Sequence, residues 1–412
     1  MVQNGKEGIL LKKAPQKQAV LLLAVNGLYL LASVLAGTFL NVYLWKSRQE
    51  YSLIGWFAFS QQVAVGLSFW LAGKWVKEHN KMNALRLGIA VSGFFYLLVL
   101  WLGGRAADYI WPLGLTLGVS IGLFWLAFNI VYFEITEAEN RDFYNGWMGL
   151  LGSLTGIIGP FLSGWMISRL QGERGYRVVF MLSLGIYVAA AVLSFFLKKR
   201  KSEGAYLRLE PWRELRRSGS SWRAVAAALL FQGLREGVFS FLIGLLVYIA
   251  AQEERMLGQF ALITSAVSLI SYYAAGKCFK PRYRSAGMLA GGLLLLAVIV
   301  PLLWKVSYGT LLVMGIGTSL FIPLYMLPMV SISFDLMGES VESASKRVEW
   351  VVLRELSLMS GRLLGIFAFI GILSVNSSTQ VIVLLLLLLG AAPLGSWLVL
   401  RRRLRRCCDD NG

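Results

Sequence analysis

Twelve long apolar runs divide this 412-residue chain, and its positive charge is packed into every second gap between them. The runs lie at roughly 19–45, 51–72, 84–103, 110–133, 146–170, 177–197, 224–250, 258–276, 285–304, 308–334, 350–373 and 379–400. A helix of about 20 mostly apolar residues crosses the hydrocarbon core of a bilayer, and only helices and closed barrels satisfy their backbone there. The runs are continuous, without the alternating period of a barrel strand. The chain is therefore predicted to be an all-α membrane protein with twelve transmembrane helices. Charged residues make up only 15%, against about 25% in a soluble domain.

The net charge of +18 would suggest nucleic acid in a soluble protein. Here it follows from insertion, because Lys and Arg are retained on the cytoplasmic side. The two tails and the alternate gaps hold 29 of the 40 basic residues, Arg86 being counted with its gap. The opposite gaps hold 8, and Arg235, Arg354 and Arg362 fall within runs. This bias predicts a multi-pass plasma-membrane protein with both termini cytoplasmic. Lys6, Lys12, Lys13 and Lys17 precede a first run too long for a signal-peptide core, so it reads as an uncleaved span. Cys278, Cys407 and Cys408 make no disulfide framework.

The longest polar stretch, 198–223, splits the runs six and six. Its basic residues are interspersed with Leu207, Leu209, Trp212 and Leu215, which leaves two readings: a helix lying on an anionic leaflet, or a solvated tether. The halves repeat. Asn26-Gly27-Leu28 opens the first run and Gln232-Gly233-Leu234 the seventh. Ala72-Gly73-Lys74 closes the second and Ala275-Gly276-Lys277 the eighth. Phe133-Glu134 closes the fourth and Phe334-Asp335 the tenth. Each half holds an even number of runs, so the repeats are parallel. The organisation expected is a six-helix bundle over 1–197, a basic linker over 198–223, a second bundle over 224–400 and a basic tail over 401–412.

Twelve spans, a six-plus-six parallel repeat and a basic central loop resemble the major facilitator superfamily over essentially the whole chain. The resemblance implies two bundles rocking about a central cavity. The family's signature after the second span reads here Gly73-Lys74-Trp75-Val76-Lys77-Glu78-His79-Asn80-Lys81. Lys77 stands where the family has Asp, so the family's Asp-based latch does not carry over. His79, the single histidine, reads as a surface residue. In the fifth span Gly146, Gly159, Pro160 and Gly164 resemble the helix-bend motif of proton-coupled exporters, with Thr155 and Ser163 in place of two glycines. Close helix packing and a simple proline bend account for the same residues. The stretch 38–46 is similar to a little-characterised group from Gram-positive bacteria.

Ionisable residues inside spans are costly and usually face a cavity or a partner. Glu236 and Glu355 are the proton-coupling candidates, with Arg235, Arg354 and Arg362 as charge partners. A carboxylate there can take up and release a proton as its surroundings change; static ion pairs between helices are the other reading. Arg235 and Glu236, about 100° apart on one helix, are not expected both to point straight into a cavity. Asn26, Asn41, Gln61, Gln62, Asn129 and Gln232, with Tyr132, offer hydrogen bonds to a substrate, and Trp125, Phe128 and Tyr325 an apolar wall. Glu134 and Asp335 are candidates to close an inner gate with Lys74, Lys277 or Arg354, or else are solvated helix ends.

No metal site, cofactor or phosphate loop is expected, and no enzymatic constellation is visible. The function expected is secondary transport by a monomer: export of an amphipathic or drug-like small molecule in exchange for protons. A lipid or glycolipid flippase, an importer of a small polar solute, and a non-transporting sensor with the same fold are the alternatives.

Overall fold

A computed structural model describes residues 17–135, 141–170, 172–198, 204–278, 281–338 and 346–409, which are helical with no strand among them. The first half comprises α1 (Lys17–Arg48), α2 (Tyr51–Glu78), α3 (Lys81–Leu102), α4 (Ile110–Ile135), α5 (Arg141–Leu170) and α6 (Gly172–Ser194). A short α7 (Glu210–Arg216) lies in the linker. The second half comprises α8 (Ser221–Ala251), α9 (Glu254–Cys278), α10 (Arg284–Ala297), α11 (Tyr308–Gly338), α12 (Arg347–Val375), α13 (Thr379–Gly390) and α14 (Ala392–Asp409). α13 and α14 form one span, broken at Ala391 just ahead of Pro393. Proline is tolerated in the first turn of a helix and breaks an interior.

Ten described stretches are long and apolar enough to cross a membrane by length and composition. One of them, Lys81–Tyr132, contains both α3 and α4. α2 is absent from the ten because the adjacent Gln61 and Gln62 lower its hydropathy. The protein is a multi-pass membrane protein of twelve spans in two parallel-related bundles.

The repeat is visible in the packing. In the first half α1 packs on α5 and α6, α4 on α2 and α3, and α3 on α6. In the second, α8 packs on α12 and α14, α11 on α9 and α10, and α10 on α14. The halves meet along two symmetry-equivalent seams, α2 with α12 and α5 with α9. Small residues let these helices approach closely, since hydrocarbon gives no hydrophobic drive between them. Gly114, Gly118 and Gly122 lie one turn apart on the face that α4 turns to α2, where a Cβ would meet Ser60, the Gln61 carbonyl and Ser68.

The described part of the linker docks across one end of the bundle, here termed the linker end. Tyr206 is buried beside Gly73, where a Cβ would lie 2.7 Å from its hydroxyl. Its backbone N–H donates to Glu78 Oε1 at 3.0 Å. That bond first, and Lys74 after it, hold the Glu78 carboxyl below its ordinary range. Leu207 N–H donates to Glu349 Oε1 at 3.0 Å, and Lys346 Nζ lies 2.6 Å from Glu210. Leu207, Leu209 and Trp212 remain exposed.

Candidate functional site

A cavity of about 800 Å³ lies between the halves, walled by α2 and α4 on one side and α8, α9, α11 and α12 on the other. Its charge comes wholly from α8 and α12. These helices touch backbone to backbone because Gly233 and Gly361 face each other: a Cβ on either would run into a carbonyl of the opposite helix. That approach brings Arg362 against Glu236. Arg362 Nη2 donates to Glu236 Oε2 at 2.9 Å and Nη1 to Glu355 Oε1 at 3.0 Å, so one guanidinium bridges two carboxylates. Gln232 Nε2 also donates to Glu236, at 2.6 Å. All three charged residues line the cavity.

Arg235 and Arg354 line it too. Neighbours Arg235 and Glu236 both line the cavity, though Arg235 is largely buried and does not point straight into it. The long Arg235 side chain folds along its own helix, its Cζ 4.4 Å from the Phe239 ring centroid.

The amide candidates divide. Gln61, Gln62 and Asn129 line the main cavity. Asn41 lines a second cavity of about 260 Å³ with Tyr29, Ser33 and Tyr187, which shares Gln61, Gln62, Ile121 and Ser240 with the wall of the first. Asn26 is off both walls: it is fully buried and donates to Met148 Sδ at 3.3 Å, between α1 and α5. Gln232 is likewise buried and off both walls, donating to Glu236. Trp125 lines the cavity, whereas Phe128 is core and Tyr325 is buried against Ser396 at 2.9 Å. Burial in a helix seam, which a one-dimensional pattern does not separate from a cavity wall, took these side chains away.

The inner-gate pairing expected of Glu134 and Asp335 is corrected. Glu134 pairs with Lys81 and Asp335 with Arg284, at 2.9 Å in the second case. Both are pairs within a half, joining α3 to α4 and α10 to α11 at equivalent positions. Lys74 pairs with Glu78 on its own helix at 3.7 Å, and Lys277 lies over the Tyr273 ring. Arg354 lines the cavity instead.

Gly159 and Pro160 sit where α5 meets α1 and α9. Proline has no N–H to return to the carbonyl four residues back. Here that carbonyl, of Gly156, accepts from Ser265 of α9 at 3.1 Å, across the seam between halves. Ser163, one of the two glycine replacements, donates to the Leu35 carbonyl of α1 at 2.6 Å.

Sequence reasoning missed the ties between halves. At the linker end Lys77 of α2 pairs with Glu349 of α12. At the opposite end Lys46 of α1 pairs with Glu254 of α9, which also accepts from Tyr176 at 2.9 Å. Lys46 and Lys77 count in the sequence as topology-setting charge, and a charge count carries no partner. The only signal was Lys77 itself, basic where the family signature is acidic.

Comparison with known proteins agrees with this architecture. The family model of the Major Facilitator Superfamily matches residues 21–345. YqgE of Bacillus subtilis (strain 168), itself uncharacterized, is 41% identical over 359 residues, covering 87% of this chain and 83% of that protein. An uncharacterized protein in the sodM 3' region of Geobacillus stearothermophilus is 38% identical over 188 residues, 46% of this chain and 88% of that one. The crystal structure of the human organic anion transporter MFSD10 (TETRAN) superposes with a TM-score of 0.66 at 16% identity, covering 94% of this chain and all of that one, 100%. A bacterial homologue of the iron transporter ferroportin, in an outward-facing state, gives 0.64 at 17% identity, with 94% and 99% covered. At such identities the likeness speaks to fold alone.

A twelve-span bundle with a polar cavity between two repeated halves is a secondary transporter of small molecules in a lipid bilayer, not an enzyme. By its family match and its Bacillus relative, the chain belongs to the Major Facilitator Superfamily.

Proposed function

We propose that this chain exports an amphipathic small molecule by alternating access, coupled to protons through Glu236. The observation that carries the reading is the position of Glu236 on the cavity wall, held by Arg362, which is shared with Glu355. Protonation of Glu236 removes one of the two charges that hold Arg362, leaving it to Glu355. Proton binding thereby changes the contact between α8 and α12, the helices that supply all the cavity charge. Export as the direction is supported by the Gly159-Pro160 bend at the α5–α9 seam. The lysine and arginine bias supports a plasma-membrane protein with the linker end and both termini cytoplasmic. The two bundles, 1–197 and 224–400, act as the rocking units, and the monomer is the working unit.

The test uses proteoliposomes loaded with a pH-sensitive dye and exposed to ethidium, rhodamine 6G and dansyl-phenylalanine. A probe-dependent pH change is expected, and its sign separates exchange from co-transport. Glu236→Gln is expected to abolish it. Unchanged proton movement in that variant would remove Glu236 from the mechanism, and no proton movement with any probe would favour a sensor.

A further inference from the structure

We propose that the cargo carries an anionic group, a carboxylate or sulfonate, and that Arg235 receives it. This rests on the reading of the cavity as a cargo site and not on proton coupling. Arg235 is only 7% exposed, yet its Nε and Nη2 are buried with no hydrogen-bond partner among the described residues. A guanidinium stays charged in a protein, and a buried charge is costly unless paired and hydrogen-bonded. The carboxylate next to it does not supply the pair. Glu236 is engaged by Arg362 and Gln232, and Glu355 by Arg362 as well. The wall therefore sets three guanidiniums, Arg235, Arg354 and Arg362, against two carboxylates that both face one of the three. The uncompensated charge lies at Arg235 and Arg354.

The geometry at Arg235 suits a planar anion. Phe239, one turn on, holds its ring centroid 4.4 Å from the guanidinium Cζ, and the two unpartnered nitrogens, Nε and Nη2, form the fork that a planar two-oxygen acceptor matches. Two more polar atoms of cavity-lining residues are buried without a partner among the described residues: Thr318 Oγ1 from α11, on the side of Arg235, and Gln62 Oε1 from α2, on the side opposite. The hydroxyl can donate to the cargo; the amide carbonyl accepts from it. Phe69, Trp125 and Phe260 supply apolar wall. The complement of this cavity is an amphipathic acid with an apolar body and a hydrogen-bond donor. A cationic cargo would meet two uncompensated arginines, and a neutral one would leave Arg235 unpaired.

Purified full-length protein, titrated at one pH and without a membrane gradient, tests this with three fluorescent probes. They are dansyl-phenylalanine, its neutral carboxamide, and the cation dansylcadaverine. The carboxylate is expected to bind about tenfold more tightly than the carboxamide, with the cation weakest. Arg235→Gln should weaken the carboxylate by about tenfold and change the carboxamide by no more than about twofold. Arg235→Lys should keep part of the preference, since it retains the charge and loses the fork. Equal affinity for carboxylate and carboxamide in the wild type, tighter binding of the cation, or no saturable binding of the carboxylate overturns the proposal. The wild-type comparison needs no variant, so a misfolded Arg235→Gln does not rescue it. A preference that survives in folded Arg235→Gln overturns the role of Arg235. Loss of proton movement alongside an intact carboxylate preference would retire the coupling scheme alone.

Discussion

Lys77 Nζ donates to Glu349 Oε1 at 2.6 Å, and both side chains are buried, Lys77 to 3% and Glu349 to 0% exposure. The pair joins α2 of one half to the first turn of α12 in the other. The family signature implied an acid at position 77; this chain makes its tie with the polarity reversed.

Removing one partner of a buried pair strands the other and costs about 3–5 kcal/mol. Lys77→Met is therefore expected to lower the thermal midpoint of the purified protein sharply. Lys77→Met with Glu349→Gln should recover most of the loss, because no charge is then stranded and the glutamine oxygen still accepts from Leu207 N–H. A double variant no more stable than the single one would show that charge pairing is not what holds this end.

The docked linker has its own pH signature. Burial first, and Glu349 second, push the Tyr206 hydroxyl up to about 12, from 10.0. A raised value means that the undocked tyrosine ionises before the docked one. Docking is then fully stable below pH 10 and is lost progressively as pH rises from about 10 to about 12. Limited trypsin cleavage after Arg208 and Arg213, followed across that range, should accelerate in the wild type and show less change in Tyr206→Phe. Gly73→Ala should accelerate cleavage at neutral pH by pressing on the same ring.

The opposite end is held more weakly. Lys46 is 41% exposed, in its pair with Glu254, and pairs of that kind are worth about 0.2–1 kcal/mol. Glu254→Gln is expected to open that end by a few-fold in population, with little loss of stability. Spin labels across the α1–α9 gap would report it, and an unchanged distance distribution would show that the Lys46 tie does not restrain opening.

The proline-freed carbonyl gives a double-mutant test. Ser265→Ala should cost about 0.5–1.5 kcal/mol in the wild type by leaving the Gly156 oxygen unpaired. In a Pro160→Ala background the cost should shrink, because residue 160 then carries an N–H that returns to Gly156 within α5. Equal costs in the two backgrounds would mean that the bond across the seam contributes nothing of its own.

Overpacking should disturb the α8–α12 contact. Gly361→Ala places a methyl against the Leu230 carbonyl, and such strain costs about 1–3 kcal/mol. The same variant should reduce probe-dependent proton movement, because the approach it blocks is what seats Arg362 between Glu236 and Glu355.

Some of the candidate site was legible and some was not, for a consistent reason. Glu236, Glu355 and the three arginines stood out because charge inside a span is costly, and all five line the cavity. Gln61 and Gln62 were visible as amides in the middle of a span. Asn26 has the same signature in sequence but is packed between α1 and α5, because helical phase alone does not say which neighbour each face meets. Lys77 and Lys81 were hidden among the basic gap residues, although both are buried and paired.

The sequence by itself determined the twelve spans and the parallel repeat, because length, hydropathy and the spacing of matched motifs are properties of the chain read in order. It also carried the bias in basic residues from which an orientation follows. Only the tertiary structure decided what each charge does. Lys77 meets Glu349 across 272 residues of chain, and Arg362 meets Glu236 across 126. Such partners are chosen by which helices pack and how closely, and close packing depends on small residues such as Gly233 and Gly361 that carry no charge signal themselves.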